Sequence, residues 1–465
     1  MRYYGRKVKG LGAAEHHDLV HPGLRVHPNV FQVLAPFFQK FQILCNVSAL
    51  TTTLLSLYYL DYASIVMHLS LDSLTLELSS ANTKLPLWEN ITLTPSSIKK
   101  VTIAYTRRSC ILGRAPLRHP LQPTYYNFAS LEVLDATAIC TPWKSISSLA
   151  TVPNLRVLHI YITSDDLATF LSTEPDKRDF QNLTDFRLIS DGPSQFSNLL
   201  LRPGFHNLQS LQIAYPAAST VGWDVDSFSR ILRDTQASST TLRTIRISIQ
   251  HHPSTFGINP LPSYLELHKI TATTLKPLFR FVNLEHLYLD LGSGVNITDE
   301  NLHDASKAWS KLKTFELPEE MRFLDPKVTF LGISDFAKSC PLLETVSLRI
   351  NGLSECNIPI QWVCENLTSL SVCMSPIDPD SHKVGRMLAK LFPKLQSISW
   401  SWYMWNASGH LSRPSDTTPL EKEYLDRWAR VNTYLSGPCR GRDSCVCASF
   451  DLWNPALQGM QGLVW

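Results

Sequence analysis

The side chains that could do chemistry in this 465-residue chain begin with three thiols near its end, Cys439, Cys445 and Cys447. Their C-x5-C-x-C spacing could open a zinc site, because a structural zinc wants four ligands from closely spaced Cys or His. A fourth ligand at workable spacing is missing, so the set reads as reduced thiols in a tail. His16, His17, His21 and His27 sit together near the start. Without Cys or acidic partners they do not build a metal site either. Nothing matches a phosphate-binding Walker loop, a dinucleotide Gly fingerprint, His-Glu-x-x-His or Gly-x-Ser-x-Gly, and Gly292-Ser293-Gly294 is a turn signal. The chain is therefore expected to be no enzyme, with no catalytic residues, no cofactor and no metal. What remains is binding chemistry: His159, Tyr161, Arg187, Gln212, Arg246, His286, Tyr288, Asp290, Glu316 and Arg349, polar or aromatic residues set among apolar neighbours. Arg and Tyr anchor protein interfaces more often than other types, through planar hydrogen bonding and low-entropy aromatic area.

The elements that must position these residues are most legible from Cys340 to Asn351, which reads L-x-x-L-x-L-x-x-N with Leu343, Val346, Leu348 and Asn351 in the four places. This resembles the strand segment of a leucine-rich repeat. Such a strand alternates its faces, so Leu348 turns inward and Ser347 outward, and its apolar edge needs a neighbour above and below. The copies are present: Ile98/Val101/Ile103, Leu131/Leu134/Ala136, Leu155/Leu158/Ile160, Leu183/Phe186/Leu188, Leu208/Leu211/Ile213, Leu242/Ile245/Ile247, Leu284/Leu287/Leu289, Leu312/Phe315/Leu317, Leu367/Leu370/Val372 and Leu395/Ile398/Trp400. The mean period is about 30 residues, with steps of varied length, so the connections differ while the strands stay in register. Asn or Pro commonly precedes the strand, as at Asn154, Asn182, Asn207, Asn283, Pro341, Asn366 and Pro393, and reads as a helix stop.

The fold class that follows is α/β, a leucine-rich repeat solenoid with parallel strands on a concave face and helices on a convex one. Helical patterns between strands run over Asp165–Leu171, Asp226–Arg233, Thr273–Phe281, Asp299–Trp309, Ile333–Cys340 and Ser381–Phe392, several opening with an Asp, Thr or Ser cap. Loops at Asp191–Ser197, His251–Tyr264 and Ser354–Ile360 read as insertions. The clear Asn at the ninth repeat position is Asn351, so no continuous Asn ladder is expected there. Along the chain, residues 1–30 read as a flexible basic and His-containing start, 31–97 as a cap or degenerate first repeats, 98–403 as the solenoid, 404–436 as a cap helix region and 437–465 as a flexible Cys-containing tail. The apolar, uncharged run from Phe41 to Leu60 is broken by Gln42, Asn46, Ser48 and Thr51–Thr53, so it suits a cap better than a membrane span.

One solenoid accommodates this length without separate domains. The formal charge of +3 comes from 43 basic and 40 acidic residues spread along the chain, which argues against nucleic acid or a membrane surface as partner. Ten scattered Cys, some at core positions such as Cys340 and Cys364, suit a reducing cytoplasm or nucleus. Asn-x-Ser/Thr sequons at Asn182 and Asn366 precede strands, where a glycan would crowd the next repeat.

Down the stack, one outward residue per strand gives the series Thr102, Asp135, His159, Arg187, Gln212, Arg246, Tyr288, Glu316, Ser347, Ser371 and Ser399, flanked by Tyr161, His286, Asp290 and Arg349. The stretch from Arg187 through Glu316 is expected to contact a protein partner. The unit Phe336-Ala-Lys-Ser-Cys-Pro-Leu-Leu-Glu-Thr-Val-Ser-Leu348, a helix ending in a Cys-Pro step before a strand, looks like the repeats of F-box proteins. The irregular spacing, scarce Asn and tail helix Leu420–Leu435 are similar to fungal F-box-like leucine-rich repeat proteins. The resemblance implies a substrate receptor of an SCF-type ubiquitin ligase, with a ligase adaptor as second partner. The family's N-terminal F-box, with its Leu-Pro-x-Glu start and Cys-x-x-Trp-like end, has no match in Met1 to Phe41.

Overall fold

The computed structural model describes residues 10–13, 24–25, 49–53, 72–78, 98–105, 129–172, 180–191, 203–216, 240–250, 269–291, 294–318, 325–353, 363–373, 375–399 and 418–436. The expected helix Asp226–Arg233, most of the three insertion loops, the His cluster and the Cys439–Cys447 tail lie outside them.

A 15-stranded parallel sheet runs the length of the described chain. Its regular part comprises β5 (Lys100–Tyr105), β6 (Val133–Cys140), β7 (Val157–Ile162), β8 (Asp185–Ser190), β9 (Ser210–Pro216), β10 (Thr244–Gln250), β12 (His286–Asp290), β14 (Thr314–Leu317), β15 (Thr345–Leu348), β16 (Ser369–Ser371) and β17 (Ser397–Ser399), paired in chain order. These are the eleven strands that the repeat pattern placed. Their middle apolar residues stand opposite one another in a continuous row: Val101, Leu134, Leu158, Phe186, Leu211, Ile245, Leu287, Phe315, Val346, Leu370 and Ile398. Every member of the row is buried. A one-residue slip would expose the whole row, so the pattern alone fixes the register.

Four more strands, β1 (Gly10–Ala13), β2 (Leu24–Arg25), β3 (Ala49–Thr53) and β4 (Ser73–Leu78), continue the sheet beyond β5. They carry it into the segment expected to be a flexible start. A second ladder joins β11 (Ile270–Thr271) to β13 (Val295–Asn296) where the chain leaves the main sheet.

Helices cover one face of the main sheet. They are α1 (Trp143–Ala150), α2 (Ser164–Ser172), the short α3 (Ala272–Leu275) with its 3-10 extension Lys276–Arg280, α4 (Asp299–Ala308), α5 (Phe330–Ser339), α6 (Ser381–Leu391) and α7 (Pro419–Ser436). Their apolar sides, including Leu149, Phe170, Leu302, Phe336 and Leu388, join the strand row in one hydrophobic core. Cys340 and Cys364 belong to that core as well, and burial pushes the Cys340 thiol up to about 12, which leaves it inert. The start of α5 is held by the preceding helix: Asp299, at the start of α4, accepts from both the N–H (2.8 Å) and the hydroxyl (2.6 Å) of Thr329, the N-cap of α5.

The Asn residues before the strands turn out to do more than stop helices. Asn154, Asn182, Asn207, Asn283 and Asn366 donate through Nδ2 to the carbonyls of Ala129, Pro153, Gln181, Thr240 and Pro341. Each bond reaches the matching turn of the preceding repeat. An Asn ladder therefore exists, shifted to the residue before the motif, and it satisfies turn carbonyls that no strand can reach. Asn182 and Asn366, the two sequon residues that stand at repeat-strand entries, belong to it.

Candidate functional site

The face of the sheet turned away from the helices carries the outward series in register. Asp135 stands beside His159, His159 beside Arg187, Arg187 beside Gln212, Gln212 beside Arg246, Arg246 beside Tyr288, and Tyr288 beside Glu316. Strand spacing puts neighbours in this row about 4.8 Å apart at the backbone, close enough for their side chains to act together. Two clusters result.

The first centres on His159. Its Nδ1 lies 3.5 Å from Asp135 Oδ2 and its Nε2 lies 3.6 Å from Asp185 Oδ1. These are ion-pair distances at or past the limit of a hydrogen bond. Burial alone would lower the imidazole pKa, since a charge is costly away from water. The two carboxylates outweigh it and raise His159 to about 9. Burial would likewise raise Asp135, but its hydrogen bonds with His159 and with Thr137 hold it below the ordinary carboxylate range. The triad is thus a cation held between two anions at neutral pH.

A folded-state pKa raised from 6.5 to about 9 means that His159 contributes its full stabilisation below pH 6.5 and loses it as pH rises through about 9. His159→Gln should remove that dependence. The difference in melting temperature between wild type and His159→Gln is expected to be largest in mildly acid solution below about pH 6.5 and to shrink as pH rises through about 9. A difference that stays constant with pH would mean that the imidazole is not charged in the fold.

The second cluster is aromatic and cationic. The Arg246 guanidinium lies over the Tyr288 ring, 4.1 Å from its centroid. At an exposed site such stacking is worth roughly 0.5–1 kcal/mol, enough to hold a long side chain in one place. The Tyr288 hydroxyl donates to Asp290 Oδ2 at 3.4 Å. Burial and then the Asp290 charge push the phenol pKa up, so it stays a donor. Glu316, next in the row, is half-buried; burial raises its pKa and the charge of Arg246 partly offsets the rise. His286 Nδ1 meets Thr314 Oγ1 at 3.1 Å on the same face. Arg187, Gln212, Asp290 and Arg349 are half-buried, and Arg246 is exposed.

Tyr161 departs from the expectation that it would be available on this face. It is 3% exposed and packs with Cys140, Ile189 and Ala214 in a small apolar cluster of its own. A register shift in β6 between Ala136 and Cys140 brings Cys140 opposite Tyr161. Counting alternation from His159 put Tyr161 on the right face, but did not weigh that Ile189 and Ala214, in register with it on the next two strands, are apolar and pack with it. Asp185 was overlooked as a site residue because it stands at the start of its strand, outside the central series. The signal for it was the carboxylate two residues before Arg187, on the same face.

Among the described residues no group of three or more His, Cys, Asp or Glu could hold a metal ion, and no helix is long and apolar enough to cross a membrane.

No family model matches the sequence, and no curated protein matches it. Among solved structures, the chain is similar to an internalin (InlF) from Listeria monocytogenes, at 11% identity over 86% of this chain and 89% of that one, with a TM-score of 0.40. It is similar also to the Rad7 and Elc1 complex of yeast, at 15% identity over 90% of each chain and the same TM-score of 0.40. At these values neither likeness bears on what this chain binds.

Proposed function

We propose that this protein is an interaction scaffold that holds a protein partner on the concave, strand-lined face of its repeats, and that its biological setting is substrate recognition for an SCF-type ubiquitin ligase. One observation carries the first half. The inward row from Val101 to Ile398 is apolar throughout, as stacking demands, whereas the outward row changes from Asp to His, Arg, Gln, Tyr and Glu with no repeat-to-repeat rule. Stacking needs the first row to be apolar and sets no such rule for the second, so its variety and its concentration of Arg and Tyr fit recognition. The second half is supported by the Cys-Pro step that joins α5 to β15, by the irregular repeat lengths and by the tail helix α7, all features of F-box-like repeat proteins. A scaffold with no ligase connection is the competing reading.

The experiment is affinity purification of the tagged chain with mass spectrometry, comparing wild type, Arg246→Ala/Tyr288→Ala and a helix-side control, Lys307→Ala on α4. The double variant should lose the partner, each anchor being worth about 2 kcal/mol, while the control keeps it. The opposite outcome would place the interface on the helices. A ligase adaptor co-purifying with wild type supports the ubiquitin role, and a partner recovered repeatedly without any adaptor favours the plain scaffold.

A further inference from the structure

Resting on the concave-face reading, we infer that the row Arg187, Gln212, Arg246 is the anchor point for a carboxylate side chain of the bound protein, a short acidic step in an otherwise uncharged or basic-flanked segment. These residues stand side by side on β8, β9 and β10. The two Arg backbones are therefore about 9–10 Å apart, a gap that two long guanidinium arms can close over one Asp or Glu.

The state of each side chain supports this. Arg187 is half-buried and makes no hydrogen bond or ion pair with any of the described residues. A half-buried guanidinium carries five donors, and leaving them without an anion forfeits the interaction for which its planar fork is suited. Gln212, between the two, likewise has no side-chain hydrogen bond among the described residues, and offers a further N–H donor. Arg246 has its guanidinium 4.1 Å from the centroid of the Tyr288 ring, a cation–π contact that holds the side chain in place. Such a pre-positioned cation loses little rotamer freedom on binding. Contrast the rim below, where Glu285 already pairs with Arg243 at 3.2 Å and with Lys313 at 2.7 Å. Those cations are occupied, whereas Arg187 has no such partner among the described residues.

The surroundings limit the size of the anion. On one flank the Asp135–His159–Asp185 triad carries one net negative charge with His159 protonated, and on the other stand Asp290 and Glu316. A nucleic-acid backbone or a long acidic tract laid along the row would meet these four carboxylates. A single acidic anchor flanked by neutral or basic residues meets a pattern of matching sign: negative, positive, negative along β6 to β14. Like-charge contacts at the flanks would reject polyanions as firmly as the centre accepts one carboxylate.

The test is selection of short random peptides, displayed on phage, against the whole chain in its wild-type form and as Arg187→Glu/Arg246→Glu, with the melting temperature of each confirming that it is folded. Wild type should select peptides that share an Asp or Glu at one position, bound at least about tenfold more weakly by Arg187→Ala and more weakly at high salt, as a charge-assisted contact requires. The reversed variant should select Lys or Arg at that position. Peptides that lose binding on Arg246→Ala/Tyr288→Ala but show no acidic preference would overturn the carboxylate anchor and leave the concave-face reading standing. A selection that yields only peptides indifferent to all of these variants, or none, would overturn both.

Discussion

Leu287→Ala and Leu348→Ala are each expected to cost roughly 2–5 kcal/mol of stability, the range for removing three carbons from a packed core that cannot collapse around the hole. Leu287 is 0% exposed and Leu348 is 1% exposed. Leu287 stands between Ile245 and Phe315 in the stack, and Leu348 stands opposite Leu317. Because a repeat contacts only its neighbours, the loss at Leu287 falls on two interfaces at once and propagates as a break in the solenoid. Thermal or urea melts of the two variants, set beside the exposed Lys307→Ala, measure it. Melting curves superimposable on wild type for both Leu variants would refute the strand register from which every site assignment is counted.

That register could be read from the amino acids because the apolar row is redundant. Any one triplet such as Leu155/Leu158/Ile160 could belong to many folds, but eleven in order can be buried together only by stacking. Helices with charged, capped starts, such as α4 behind Thr298 and α6 behind Asp380, were legible to within a residue or two. Helix α1 was not. Its sequence, Trp143-Lys-Ser-Ile-Ser-Ser-Leu-Ala150, is Ser-rich and has no acidic residue in its first turn. It is helical because Ile146, Leu149 and Ala150 bury themselves in the core, a tertiary cause that local propensity does not report. The Asn ladder was hidden for a similar reason. An Asn before a strand predicts a turn, but its acceptor lies 25 to 43 residues earlier, at a distance in sequence that only the stacked fold makes short.

The outward row was legible as a series and illegible as a set of partnerships. Alternation placed His159, Arg187, Arg246, Tyr288 and Glu316 on one face, where they are. It could not tell that Arg246 would lie on Tyr288, that Asp185 would face His159, or that Tyr161 would be buried with Cys140, Ile189 and Ala214. Those outcomes depend on side-chain direction and on what packs above the sheet, and neither is periodic.

Trp428→Ala should have the second large effect, roughly 3–5 kcal/mol, and should act at one end of the molecule. Helix α7 closes the sheet at β17. Its Asn432 Oδ1 accepts the Ile398 N–H at 2.8 Å, occupying a donor that an exposed edge strand would offer to another chain. Its Arg427 donates to the Ile377 carbonyl at 2.9 Å, and Tyr434 lies so close to Gly385 on α6 that an added Cβ there would stand 3.0 Å from the ring. Trp428 is the buried centre of this seal, 0% exposed, with its indole N–H donating to the Ser375 carbonyl at 2.9 Å and its ring edge-on to Phe330. Removing it opens a cavity and leaves that carbonyl without its indole donor. A solenoid whose end cap is loosened frays from that end, since interior repeats still have both neighbours. Hydrogen exchange in Trp428→Ala should therefore accelerate in α6, β16 and β17 while β7 to β9 keep their protection. Trp428→Phe, which keeps most of the volume and gives up the hydrogen bond, should lose only about 1 kcal/mol. If exchange sped up evenly along the whole sheet, or nowhere, α7 would not be the element that seals the stack.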